Sequence, residues 1–165
     1  AAWERGDIDA AFIWDPVLSK IKGNGKAIAS SKSIGAKGYP TFDGIVVNAK
    51  WAAAHEGFMI ELVKALHKAD SACRADQAKW TADSPQVKAV AKWTKADPKA
   101  VPPAMAAYVF PTAAEQAGPK WLGGGAAKAM ASTAAFLKEQ GRITEVKPDY
   151  AAFVTDAYVK KALGK

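Results

Sequence analysis

Trp14 and Asp43 are the side chains whose types and places best suit chemistry. Ile8 to Trp14 is a short apolar run of strand type, and Trp14 closes it beside the start of a helix. Asp43 stands at the edge of an irregular stretch that leads into a second run, Ile45 to Asn48. Open α/β sheets take ligands just beyond the carboxyl ends of their strands. An indole face and a carboxylate together can hold a small organic cation, by cation–π attraction and a charge-assisted hydrogen bond. Tyr108 adds a hydroxyl donor in the stretch before Thr112. Each has a structural alternative: a core aromatic for Trp14, a turn or strand-cap carboxylate for Asp43, a packed ring for Tyr108. Asp15 reads as a helix N-cap ahead of Pro16, and its charge discourages an anion at that helix start.

Other constellations are weaker. The histidines, His55 and His67, lie far apart along the chain without a Cys, Asp or Glu at ligand spacing, so no metal is expected. Neither a Gly-x-Ser-x-Gly elbow nor a Gly-Lys-Ser/Thr loop is present. Gly123-Gly124-Gly125 precedes a helix but follows no strand, so it reads as a flexible joint and not a phosphate cradle. Cys73 is the single cysteine and falls on an apolar helical stripe, which suits a buried thiol. The net charge is +7, yet Lys20, Lys22, Lys26, Lys32 and Lys37 are spaced by small or apolar residues. Dispersed lysines of this kind make a basic protein rather than a nucleic-acid binder.

Elements that could position these residues follow from periodicity. The chain of 165 residues is long enough for one ordinary core. Trp3 to Arg5 read as the last turn of a helix stopped by Gly6, then strand Ile8 to Trp14, then a helix from Asp15 to Lys22. Lys26 to Ser30 is a further strand candidate, and Ser31 to Pro40 a polar loop. From Lys50 the pattern turns helical. Phe58, Leu62, Leu66, Ala69 and Cys73 recur at spacings of three and four and predict one long helix. Ser84-Pro85 and Asp97-Pro98 predict helix starts, and Pro102-Pro103 a stop. Thr112 to Glu115 matches a capping box, and Gly141 suits the position after a helix from Ala126 to Gln140. Asp149 predicts the cap of a last helix striped by Tyr150, Phe153, Val154, Ala157 and Tyr158. Phe58, Leu62, Leu66, Phe136, Leu137, Phe153 and Val154 are the expected core.

The opening segment from Ala2 to Pro16 reads as the middle of a fold, and it resembles the middle of the periplasmic taurine-binding proteins of ABC importers. Pro40-Thr41-Phe42-Asp43-Gly44-Ile45-Val46-Val47 is similar to the segment where that family's chain crosses back between its lobes. Ala135 to Arg142, and Asp149-Tyr150 with Phe153-Val154-Thr155-Asp156, resemble its C-terminal helices. The resemblance implies an α/β periplasmic binding protein-like (type II) two-lobed fold, of which this chain is the C-terminal part, helix-rich after residue 50. It implies that residues 1–40 belong to the second lobe, and that 41–165 carry the return strand and the C-terminal helices of the first. It also implies a non-enzymatic, periplasmic solute-binding protein for taurine or a related alkanesulfonate, with no cofactor. Its partners would be the permease subunits and the N-terminal portion of the same protein, and not nucleic acid. Trp14, Asp43 and Tyr108 would contact the ligand. Two other protein types share the architecture. One is the pyrimidine-precursor synthase of thiamine biosynthesis, which uses pyridoxal phosphate and an active histidine. The other is the effector domain of a transcription regulator.

Overall fold

The computed structural model describes residues 2–15 and 17–165. In chain order the helices are α1 (Ala2–Arg5), α2 (Val17–Ile21), α3 (Ser31–Gly35), α4 (Ala49–Ala54), α5 (Glu56–Asp76), α6 (Pro85–Thr94), α7 (Val101–Met105), α8 (Ala113–Gln116), α9 (Gly125–Glu139) and α10 (Ala157–Ala162). Single 3₁₀ turns occur at Gln77–Lys79, Pro98–Ala100 and Ala151–Phe153. The chain divides into two compact units, Ala1–Ile28 with Ala72–Phe110, and Ala29–Ser71 with Pro111–Lys165.

No strand occurs among the described residues, which corrects the expectation for Ile8 to Trp14, Lys26 to Ser30 and Ile45 to Asn48. The physical reason is pairing. A β-strand is completed by a neighbour that takes up its backbone N–H and C=O groups. The main chain of residues 8–13 and 41–47 makes no hydrogen bond among the described residues. Both stretches have a strand-like composition without a strand to join.

Helix ends follow local chemistry. Thr112 Oγ1 accepts from Glu115 N at 3.1 Å, while the Glu115 carboxylate accepts from Thr112 N at 2.7 Å, the reciprocal box expected from sequence. A second box, Ser30 with Ser33, starts α3 inside the stretch expected to be loop. Serine at both positions hides that signal from a search for Glu or Gln. Gly141 takes φ 66° after α9. Its N–H donates to Lys138 O at 2.9 Å and Arg142 N–H to Leu137 O at 2.8 Å, a Schellman closure that needs a left-handed residue. Pro102 and Pro103 lie inside α7 and do not stop it. They occupy its first turn, where a missing N–H removes no helical bond. Ser84 precedes α6, but its hydroxyl accepts from Thr81 N at 2.8 Å and leaves the helix uncapped by a side chain. The last predicted helix is split: the turn Ala151–Phe153 and the extended Val154 precede α10.

The core of the first unit is Val87, Ala91 and Val101, with Trp80, Val90, Ala96 and Met105 packed around it. Val87 and Ala91 are one helical turn apart, so α6 turns a single face inward. In the second unit the buried positions are mostly alanines: Ala52, Ala113, Ala127, Ala129 and Ala134, joined by Met59 and Val159. The expected large core residues are not buried. Phe58, Leu66, Phe136 and Phe153 are exposed, and Leu62, Leu137 and Val154 are half-buried. Along α5 the covered face runs through Met59, Val63, Asp70 and Cys73. It is turned away from the stripe of Phe58, Leu62 and Leu66 by roughly one residue's rotation.

Val87 has no exposed surface, whereas Leu66 keeps 38% of its own. Val87→Ala should therefore lower unfolding free energy by about 2 kcal/mol, and Leu66→Ala by less than about 1 kcal/mol, in denaturant titrations. A pair of glycines offers a sharper contrast. A Cβ on Gly57 would meet nothing within 4 Å, while one on Gly125 would lie 1.9 Å from Lys120 O. Gly57→Ala should stabilise α5 by about 0.5–1 kcal/mol, since alanine is the better helix former. Gly125→Ala should lower the melting temperature instead.

Candidate functional site

Trp14 lies in the first unit, in the turn that enters α2, and 67% of its surface is exposed. Its carbonyl accepts from Leu18 N at 3.0 Å, so the backbone is fixed while the indole stands open. Next to it, Asp15 Oδ1 accepts from Ser19 N at 3.0 Å and from the Ser19 hydroxyl. The carboxylate is thus engaged by Ser19, four residues on in α2, rather than by the residue two or three ahead that a helix started at Pro16 would offer to an N-cap. Pro16, the expected first helical residue, lies outside the described residues.

Tyr108, in the same unit, follows α7 in a turn closed by Tyr108 N–H to Met105 O at 3.1 Å. Its ring leans on Phe110 with centroids 6.3 Å apart, and its side chain is exposed. Among the described residues no hydrogen bond or ring contact joins Trp14 to Tyr108. Nearby, Arg74 reaches across to Phe110 O at 3.0 Å and anchors this loop to α5.

Asp43 lies in the second unit, in the irregular stretch before Asn48, which caps α4 through Trp51 N at 3.0 Å. It is exposed and forms no hydrogen bond or ion pair among the described residues. A carboxylate in that condition is available to an incoming cation. Its neighbour Phe42 lines an apolar groove of about 300 Å³ with Met130, Thr133, Ala134, Leu137, Ile143 and Tyr150. Sequence reasoning misses this groove. Met130, Ala134 and Leu137 recur at helical spacing along α9 and are the available signal; Phe42 and Ile143 come from segments without periodicity. The Thr133 and Tyr150 hydroxyls are its polar groups, and the Tyr150 oxygen accepts from Lys147 N at 3.3 Å.

The remaining chemistry-bearing residues have structural work. His55 stacks on Trp51 with ring centroids 4.2 Å apart and planes 14° from parallel, and its Nδ1 lies 2.8 Å from Trp51 O. Phe58 meets the same indole edge-on. No group of three or more His, Cys, Asp or Glu is placed to hold a metal among the described residues. Cys73 is buried, as expected. The Gly123–Gly125 segment is a wound turn and not a loose joint. Leu122 N–H donates to Gln116 O, Gly123 to Gly118 O, Gly125 to Pro119 O and Ala126 to Trp121 O, all at 2.8–3.0 Å. The first amides of α9 are therefore occupied, and no phosphate cradle is left open there.

No protein-family model matches the chain. Comparison with a curated protein decides the resemblance: over 160 residues, 97% of the chain, 31% of positions are identical to the taurine-binding periplasmic protein of Escherichia coli (strain K12). The chain is similar to a taurine-binding periplasmic protein. The similarity runs through almost all of it, in agreement with motifs that extend from the opening segment to the C-terminal helices. It takes in 49% of the relative, so the chain spans about half the length of the taurine-binding protein it matches. No helix among the described residues is long and apolar enough to cross a membrane.

The bond between Asp15 and Ser19 is directly measurable. Asp15→Asn keeps an acceptor for Ser19 N and should change stability by less than about 0.5 kcal/mol. Asp15→Ala removes it and should cost about 1 kcal/mol in a chemical melt.

Proposed function

We propose that the chain is part of the substrate-binding component of an ABC importer, periplasmic and non-enzymatic, which binds taurine or a related small sulfonate and delivers it to the permease. One observation carries this reading: 31% identity along 97% of the chain to a taurine-binding periplasmic protein. The whole protein would be a two-lobed α/β binding protein, with residues 1–40 in the second lobe and 41–165 returning to the first. The unpaired stretches 8–13 and 41–47 would join sheets completed by other parts of that protein. Their apolar composition and unused backbone groups support this. The lobes would close on the ligand by a hinge, and the closed form would be the one the permease accepts.

In that cleft Asp43 would meet the ligand's ammonium, Trp14 would lay its indole against the ligand and exclude water, and Tyr108 would offer its hydroxyl. What supports Asp43 is its lack of any other partner among the described residues; Asp15, by contrast, is occupied by Ser19. Removing the Asp43 charge leaves the bound ammonium desolvated and unpaired. The cost for such a pair is about 2–5 kcal/mol, or roughly thirty-fold to several-thousand-fold in Kd. Titration calorimetry of taurine into the whole protein should show that loss for Asp43→Asn and almost none for Asp15→Asn. Small and equal effects at both positions would remove Asp43 from the site.

A further inference from the structure

The outer end of α6 carries a basic and aromatic patch that the solute-binding reading does not use. Val87 and Ala91 face the core, Lys92 and Trp93 are turned away from it, and Lys88 is exposed on the flank between. Trp93 is 80% exposed, and Lys92 Nζ lies 5.3 Å from the centre of its ring. Lys95 and Lys99 follow, both exposed, with one acid between them, the exposed Asp97, whose carboxylate accepts from Lys99 N at 2.9 Å. Lys88 is drawn toward Asp83 at 3.8 Å, but Lys92, Lys95 and Lys99 form no ion pair among the described residues.

Lys95 adds an independent observation. It takes φ 59°, and no other non-glycine among the described residues has a positive φ. At the end of a helix this left-handed position is ordinarily filled by glycine, which adopts it without a Cβ clash. The chain places glycine after α1, α3, α9 and α10 in this conformation, and lysine after α6. A strained backbone is kept here where an unstrained residue would fit, which points to use of the side chain.

We infer that the patch of Lys92, Trp93, Lys95 and Lys99 is a peripheral contact for an anionic lipid surface. Tryptophan prefers the level of lipid headgroups, with its ring in the apolar boundary and its N–H in water. Lysines beside it reach the headgroup charges, each strengthening attachment about fivefold near an anionic bilayer. A nucleic-acid site would need a longer basic track than these few residues give. With no helix suited to crossing the bilayer among the described residues, the contact would be at the surface.

The test is co-sedimentation of the whole protein with vesicles of phosphatidylcholine containing a minority of phosphatidylglycerol, against phosphatidylcholine alone. Binding should favour the anionic vesicles and fade at high salt. Trp93→Ala and the double change Lys92→Glu with Lys95→Glu should each reduce it, the latter by more than about tenfold. Lys95→Gly separates the roles. It should weaken vesicle binding about fivefold while the melting temperature holds or rises, because the strain is relieved and one charge is lost. Taurine calorimetry on the same variants should be unchanged, so failure of this contact and failure of the solute-binding reading are told apart. Equal sedimentation with neutral vesicles, variants that bind like the parent, or binding to polyglutamate with none to vesicles overturns the inference.

Discussion

A β-strand cannot be made by one segment alone, and that constraint shapes the whole chain. Residues 8–13 and 41–47 hold strand-like, largely apolar sequence whose backbone groups find no partner among the described residues. Where pairing is absent, burial fails with it. A sheet would give the helices of the second unit a flat apolar surface to cover, and without one several of their large side chains stay open to water. Phe58, Phe136 and Phe153 are exposed on helical segments that are themselves well formed. The positions that do close up are largely alanines and small aliphatics, which let helical segments approach without a deep interlayer.

Much of the helical structure is legible in the sequence because its causes are local. The long α5, the Thr112 box and the Gly6 and Gly141 stops all depend on residues within a turn or two. The α3 helix escapes notice because its box uses serine at both ends, and the stop expected at Pro102-Pro103 fails because prolines are harmless in a first turn. Strand and burial readings fare worse because they are not local properties. A β-branched run such as Ile45-Val46-Val47 predicts readiness to pair and says nothing about whether a neighbour is at hand. Along α5 the apolar stripe is real as a pattern, yet the covered face lies one step round the helix.

Site residues divide in the same way. Asp15 can be set aside from sequence, since a carboxylate before a Pro-started helix has an evident use, and in the structure it is engaged by Ser19. Asp43 draws notice for having no such use, and it has no partner among the described residues. The groove of Phe42, Met130, Leu137 and Tyr150 is not legible, because it joins α9 to aperiodic segments. Its distant members have no common spacing, and only the folded second unit brings them to one place. Trp51 and His55 show the converse: residues able to do chemistry that are absorbed by stacking at a helix end.

The wound turn between α8 and α9 bears on the order in which the chain assembles. Its bonds from Leu122, Gly123, Gly125 and Ala126 reach back only five or six residues, to Gln116, Gly118, Pro119 and Trp121. Loops that short close on a timescale of tens of nanoseconds, far ahead of pairings between distant segments. The turn ahead of α9 is thus held by bonds within a handful of neighbouring residues. Helices on either side can take their places early, while the two unpaired stretches wait for contacts whose closure entropy is met last.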